Sequence, residues 1–216
     1  METKLVIESI ENFVDPHLLL HFVRVNGLEG FEEMKKRCLL KTKVYKEIEG
    51  IGSSGDLKQA LEESKKKFAS QKSLLQSFIP EAIAAIESGS ELGSLTNDQL
   101  TFLSQYAKCL FEEGNYKEAS KVIDALKSNN LGEIEEIQLN VYWGDFILST
   151  ILNNGNSKSA FKGLKSKIEQ GHFKFAQEMS QKTSLLCSAV LLYLSPNSSE
   201  EDFEYLLSLL TNEKFI

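Results

Sequence analysis

Residues 103–126, Leu-Ser-Gln-Tyr-Ala-Lys-Cys-Leu-Phe-Glu-Glu-Gly-Asn-Tyr-Lys-Glu-Ala-Ser-Lys-Val-Ile-Asp-Ala-Leu, decide the fold. Leu103, Tyr106, Ala107, Leu110 and Phe111 recur at steps of three and four. After Gly114-Asn115, Tyr116, Ala119, Ile123 and Leu126 do the same. Such spacing describes one apolar helix face, a turn, and a second apolar helix face. The small residues are the informative ones. Ala107 and Ala119 let two antiparallel helices approach closely, Gly114 permits a tight turn, and Tyr116 packs into the groove between the helices. This is the template of a tetratricopeptide-like helical hairpin, which cannot bury its apolar face alone and must stack on neighbours. A degenerate second copy starts at Trp143-Gly144, with Ala160 as its later small residue and about one extra helical turn. A generic antiparallel bundle is the competing reading.

Working outward, Thr96-Asn-Asp-Gln99 is a capping box that opens the first hairpin helix, and residues 89–95 form a loop with two glycines before it. Further upstream, Asp56 with Gln59 starts a long helix to Ile79, which Pro80 bends or ends. Gly50-Ile-Gly-Ser-Ser-Gly55 reads as the clearest linker. Before it, the spacing predicts a helix over 4–14 with Val6, Ile10 and Phe13/Val14 on one face. A restart at Asp15-Pro16 carries Leu18, Leu19, Phe22 and Val23 to Asn26-Gly27, and a third helix covers 31–48. Downstream, helices over 134–152 and 157–168 repeat the hairpin rhythm. A helix over 173–194 is broken by Pro196, and Ser198 with Glu201 caps a last one through Leu210. No segment alternates with period two for long enough to compete. The expected class is all-α. Residues 1–50 form N-terminal helices and residues 56–216 a helical-repeat region, continuous as one solenoid of stacked antiparallel pairs.

Composition agrees. The 216 residues are 42% hydrophobic and 25% charged with a net charge of −7, values of a folded chain rather than a disordered one. Only three prolines are present, so obligatory helix breaks are few. No apolar run precedes a small-residue cleavage site near the start, and none approaches the roughly 20 residues of a membrane span. Cys38, Cys109 and Cys187 are too few and too scattered for a disulfide framework or a zinc site, and read as reduced, partly buried thiols of an intracellular protein. The acidic balance argues against a surface that grips nucleic acid all over, though not against a local basic face.

The text of Gly50-x-Gly52-x-x-Gly55 matches a dinucleotide fingerprint, but that site needs a strand before the loop, and residues 43–49 read as a helix end. His17 and His21 stand four apart on one helix, a spacing that suits a metal. Leu18 occupies the place of a general base, and His172 is the only other histidine, so structural roles are expected. Asn197-Ser-Ser199 reads as a loop that caps the final helix. Between 158 and 182 stand Lys158, Lys162, Lys165, Lys167, Lys174, Lys182 and His172, with only Glu169 and Glu178 opposing them, a local +4. A solvated helix face explains this run, and an electrostatic contact with RNA or an acidic partner is the sharper alternative, with Phe161, Phe173 and Phe175 interleaved.

Several short blocks stand in a familiar order. They are Phe13-x-Asp15-x-His17-Leu18; Val44-Tyr45-Lys46; Tyr106-Ala107-Lys108 with Gly114-Asn115-Tyr116 and Ala119; Trp143-Gly144; and the apolar run from Thr183 to Pro196. In these the chain resembles the subunit-e family of eukaryotic translation initiation factor 3, which are PCI-domain proteins. The resemblance implies a cytoplasmic, ribosome-associated scaffold without catalytic residues, cofactor, metal or small-molecule substrate. Its partners would be the other factor subunits and the small ribosomal subunit, with at most a secondary contact to ribosomal RNA through Lys158, Lys162, Lys165, Lys167 and Lys174. Family members continue into further helices and a winged helix, and this sequence reaches Ile216 without them, so the winged-helix part of the PCI module is expected to be absent. Neighbouring alternatives are a scaffold subunit of the proteasome lid or signalosome, and a regulator or enzyme on a helical-repeat platform.

Overall fold

The computed structural model describes residues 2–27, 29–49, 55–90, 92–129, 131, 134–171, 175–193 and 198–212, with backbone alone at 2–4, 55–60 and 175. The glycine segment 50–54, the side chains of Asp56 and Gln59, residues 172–174, and the Pro196 and Asn197 positions lie outside the described residues. Among the described residues every regular element is a helix. The chain is all-α.

The first helices show where burial overrules a simple reading of periodicity. Helix α1 (Glu2–Ile10) ends before the expected Val14. Its inner side continues as Ile7, Glu11 and Val14, while Val6 and Phe13, expected inside, are 46% and 49% exposed. The reason is an ion pair. Arg37 donates from Nε and Nη2 to the buried Glu11 carboxylate at 3.1 and 2.7 Å, and that fork fixes which side of the segment faces in. Helix α2 (Pro16–Val25) starts as anticipated, with Asp15 Oδ1 accepting from the His17 and Leu18 amides at 2.8 and 3.3 Å and proline at the first helical position. It ends at Asn26, followed by Gly27 at φ +57°.

The helix expected over 31–48 is in fact two. Helix α3 (Glu32–Leu40) stops, and α4 (Tyr45–Glu49) begins after a short connection. Thr42 is buried there and its Oγ1 accepts the Val44 amide at 3.2 Å. The Lys43 amide leaves the helical ladder and donates to the Glu112 carbonyl at 2.9 Å. A tertiary hydrogen bond thus replaces a helical one. Contacts accordingly group the chain into Met1–Lys41 with Lys165–Ile216, and Thr42–Leu164. Residues 42–49 group with the hairpin that Lys43 bonds.

In the unit Thr42–Leu164, α5 (Gly55–Phe78) gives way at the buried Ile79 to α6 (Pro80–Ser88), which Gly89 closes at φ +71°. The capping box forms as expected: the Gln99 amide donates to Thr96 Oγ1 at 3.3 Å, and the Thr96 amide donates to Gln99 Oε1 at 2.9 Å. It opens α7 (Asn97–Glu112), which is followed by α8 (Tyr116–Ser128) and α9 (Glu135–Ile151). Helix α10 (Ser157–Gln170) crosses the boundary between the units. One core joins α6 to α9, built from Ala82, Leu103, Ala107, Ile123, Leu126, Val141 and their neighbours. Leu103 and Leu126 are fully buried, each contributing about 1.5–3 kcal/mol by leaving water.

The other unit closes with α11 (Phe175–Tyr193) and α12 (Glu200–Leu210), where the Tyr193 and Tyr205 rings lie 5.1 Å apart. The cap of α12 sits one residue later than expected. Ser199 accepts the Asp202 amide at 3.3 Å and donates its own amide to Asp202 at 2.8 Å, in place of the Ser198–Glu201 pair. Asp202 is buried beside the helix start, and an aspartate reaches back across one turn as the longer glutamate would.

Candidate functional site

The hairpin residues singled out in the sequence come together at α7, α8 and the turn between them. Ala107 and Ala119 are 3% and 0% exposed, within the core that the two helices share. Tyr106 is buried with its hydroxyl accepting from Gln76 of α5 at 3.1 Å. Gly114 adopts φ +82°, and a Cβ there would lie 3.2 and 3.3 Å from the two Val44 methyl carbons. Glycine is therefore required twice, by the turn and by the approach of Val44. The Tyr116 ring stands 5.8 Å from Phe111 across the turn, and Lys72 of α5 pairs with Glu113 at the end of α7.

Gly144 lets α9 settle on α8, because a Cβ there would lie 3.0 Å from Ile123 Cδ1. Ile137, Val141 and Leu148 extend that contact at helical spacing, and Lys127 of α8 pairs with Asp145 of α9 at 2.7 Å. Trp143 is half-buried with its ring 6.2 Å from Phe146. Ala160 is buried, and α9 and α10 meet through rings, Phe146 on Phe161 edge-to-face at 5.4 Å.

The lysine run is not a uniform cationic face. Lys158 and Lys162 are exposed; Lys165 is bonded to Glu169 at 2.8 Å and Lys182 to Glu178 at 2.7 Å along their own helices. Lys167 is half-buried, and Lys174, His172 and Phe173 lie outside the described residues. Phe161 is fully buried, so its ring is core and not a stacking platform. The two lysines on the N-terminal half of α10 and the rest of the run fall in different compact units.

The remaining chemically suggestive groups have structural settings. Burial pushes the Cys38 thiol up to about 11, with the Glu11 carboxylate adding to it, and burial raises Cys109 and Cys187 as well, which suppresses the nucleophilic thiolate. His17 is buried. His21 is held below its ordinary value by burial and by Arg24, so the neutral ring is favoured. Among the described residues no group of three or more His, Cys, Asp or Glu side chains is placed to hold a metal, and no helix is long and apolar enough to cross a membrane. An open depression of about 610 Å³ lies between α6, its following loop and α8, lined by Ile86, Leu92, Lys121, Asp124 and Asn129. Partial burial raises the Asp124 carboxyl, opposed by Lys127 and reinforced by Asp145.

Two features escaped the sequence. The docking of Val44 on Gly114 has no local signal, since it joins residues 70 positions apart. The second had one: α12 buries Leu206 and Leu209 yet exposes Phe203, Leu207 and Leu210 by 49%, 45% and 41%. Apolar residues on two adjacent faces of one short helix are legible as text.

The fold and these settings define a helical protein whose organised centre is a close-packed helix pair with a third helix laid on it. The chain matches no protein-family model and no curated protein sequence.

Proposed function

We propose that this chain is a non-catalytic scaffold subunit of the translation initiation factor 3 complex, acting in the cytoplasm in assembly of the initiation complex on the small ribosomal subunit. In this reading α7 to α10 are tetratricopeptide-like pairs of a short solenoid, and protein neighbours are bound through helical surfaces. One observation carries it. Two of the blocks that bear the family resemblance, Val44-Tyr45-Lys46 and Gly114-Asn115-Tyr116, are packed against each other, with the Val44 methyls 3.2 and 3.3 Å from where a Cβ would stand at Gly114. Blocks that merely coincided as text would have no reason to be neighbours in space.

Any ribosomal RNA contact is secondary in this proposal and uses the lysine-rich stretch from Lys158 to Lys182. The test is a pull-down with purified factor subunits and with small ribosomal subunits at low and moderate salt, comparing the wild type with a Lys162, Lys165 and Lys167 to Glu variant. Binding of subunits that survives salt and the triple change supports the proposal, because phosphate contacts release counterions and weaken steeply with salt. Loss of subunit binding with ribosome binding intact reverses the two surfaces, and a wild type that binds neither overturns the reading.

A further inference from the structure

We infer that the exposed face of α12 is a docking surface for a basic amphipathic helix of a partner protein, seated on Phe203, Leu207 and Leu210 with its cations against Glu200 and Glu204. Single exposed apolar residues are ordinary, but these three recur at i, i+4 and i+7 and form one stripe. The helix already has a core side in Leu206 and Leu209, each 2% exposed, and Tyr205 packs near Tyr193. The stripe is therefore a second apolar face, adjacent to the first and left at the surface.

Charge names the occupant. At about 100° per residue, Glu200 and Glu204 fall directly beside Leu207, on the side away from Leu206 and Leu209. Around the helix the order is buried leucines, exposed stripe, then carboxylates. An apolar seam flanked by a charged row is what one member of a helix pair presents to the other. Helix α12 reads Glu-Glu-Asp-Phe-Glu-Tyr-Leu-Leu-Ser-Leu-Leu and contains no cation, so the complementary helix carries lysine or arginine on its flank. A second copy of α12 fits poorly, because it brings no cation to the Glu200–Glu204 row.

The inference goes beyond the scaffold reading and does not depend on which assembly the chain joins: a failed pull-down with factor subunits leaves it standing, and its own failure leaves that reading standing. The probe is a synthetic helical peptide with leucine along one face and lysine on both flanks, titrated into the full chain and followed by fluorescence anisotropy. A companion peptide carries glutamate in place of lysine. Saturable binding of the lysine peptide alone is expected, weakened about tenfold or more by Leu207→Asp. Charge reversal by Glu200→Lys with Glu204→Lys should move the preference to the glutamate peptide, whereas Glu81→Lys with Glu87→Lys, at exposed sites on α6, should move neither. Circular dichroism checks that each variant folds, and Phe203→Ser is the second disruptive variant should Leu207→Asp not fold. Equal binding of both peptides, or wild-type affinity in the stripe variants, overturns the inference. Concentration-dependent dimerisation in sedimentation that Leu207→Asp abolishes also overturns it, by assigning the stripe to a second copy.

Discussion

In the α7–α8 pair the shared core contains Ala107 and Ala119, and the turn closes on Gly114 at φ +82°. In the α9–α10 pair the contact is made by Phe146 on Phe161, and by the Tyr142 ring, 3.4 Å from where a Cβ would stand at Gly163. Both pairs descend from the same apolar spacing, yet one is joined by the smallest side chains and the other by the largest. The difference follows from what else each helix must touch. Helix α9 turns Ile137, Val141, Gly144 and Leu148 onto α8, so its small residue serves that contact, and Phe146 is left to reach α10. Close approach and long reach are alternative ways to fill the same space, and they fail differently: the first is broken by adding volume, the second by removing it.

The largest effect is expected in the second pair. Phe146→Ala removes a fully buried ring and its edge-to-face partner contact, and should cost about 3–5 kcal/mol in chemical denaturation. A loss below about 1.5 kcal/mol would mean that the rings do not join α9 to α10. In the first pair, Ala119→Phe should cost about 1–3 kcal/mol by overpacking, and a neutral result in thermal melting would break the close-approach assignment. Gly114→Ala should cost about 1–2 kcal/mol from the left-handed backbone alone, and more because Val44 must give way. Combining it with Val44→Ala in a double-mutant cycle should recover the steric part and leave the backbone part.

Gly163→Ala sharpens the contrast by its sign. That glycine has ordinary helical φ and only a normal van der Waals neighbour, so alanine should stabilise the chain by about 0.5–1 kcal/mol through helix propensity. The smallest effect lies outside both pairs, at His21. Its folded pKa is depressed below the ordinary 6.5, so its contribution is fully present above that pH and is lost as pH falls through 6.5 towards the folded value. Melting followed between pH 7.5 and 5.5 should show a decline that His21→Gln flattens, while Phe146→Ala and Ala119→Phe shift the whole curve without changing its slope there.

The helix class, most helix boundaries and the hairpin motif were legible because each rests on short-range chemistry: apolar spacing of three and four, the Asp15-Pro16 start, the Thr96–Gln99 box, and the Gly114 turn. Of the hairpin residues, Gly114 stands in the turn at positive φ, and Ala107 and Ala119 are buried in the core that the two helices share. The lysine run was legible only as charge. That Lys165 and Lys182 are bonded along their helices follows from i,i+4 spacing to Glu169 and Glu178, but that Phe161 is core depends on which side of α10 meets Phe146.

By itself the sequence determined an all-helical chain, the starts of α2 and α7, and the need for small residues in one helix pair, because backbone hydrogen bonds and side-chain periodicity act within a few residues. Only the tertiary structure decided that 31–48 breaks at Thr42, that Ile7 and not Val6 faces inward, and that 42–49 joins the hairpin. Those outcomes hang on the Lys43–Glu112 hydrogen bond, the Glu11–Arg37 fork and the seat of Val44 on Gly114. Each joins residues 26 to 70 positions apart, and partners so distant leave no trace in the local pattern that either one stands in.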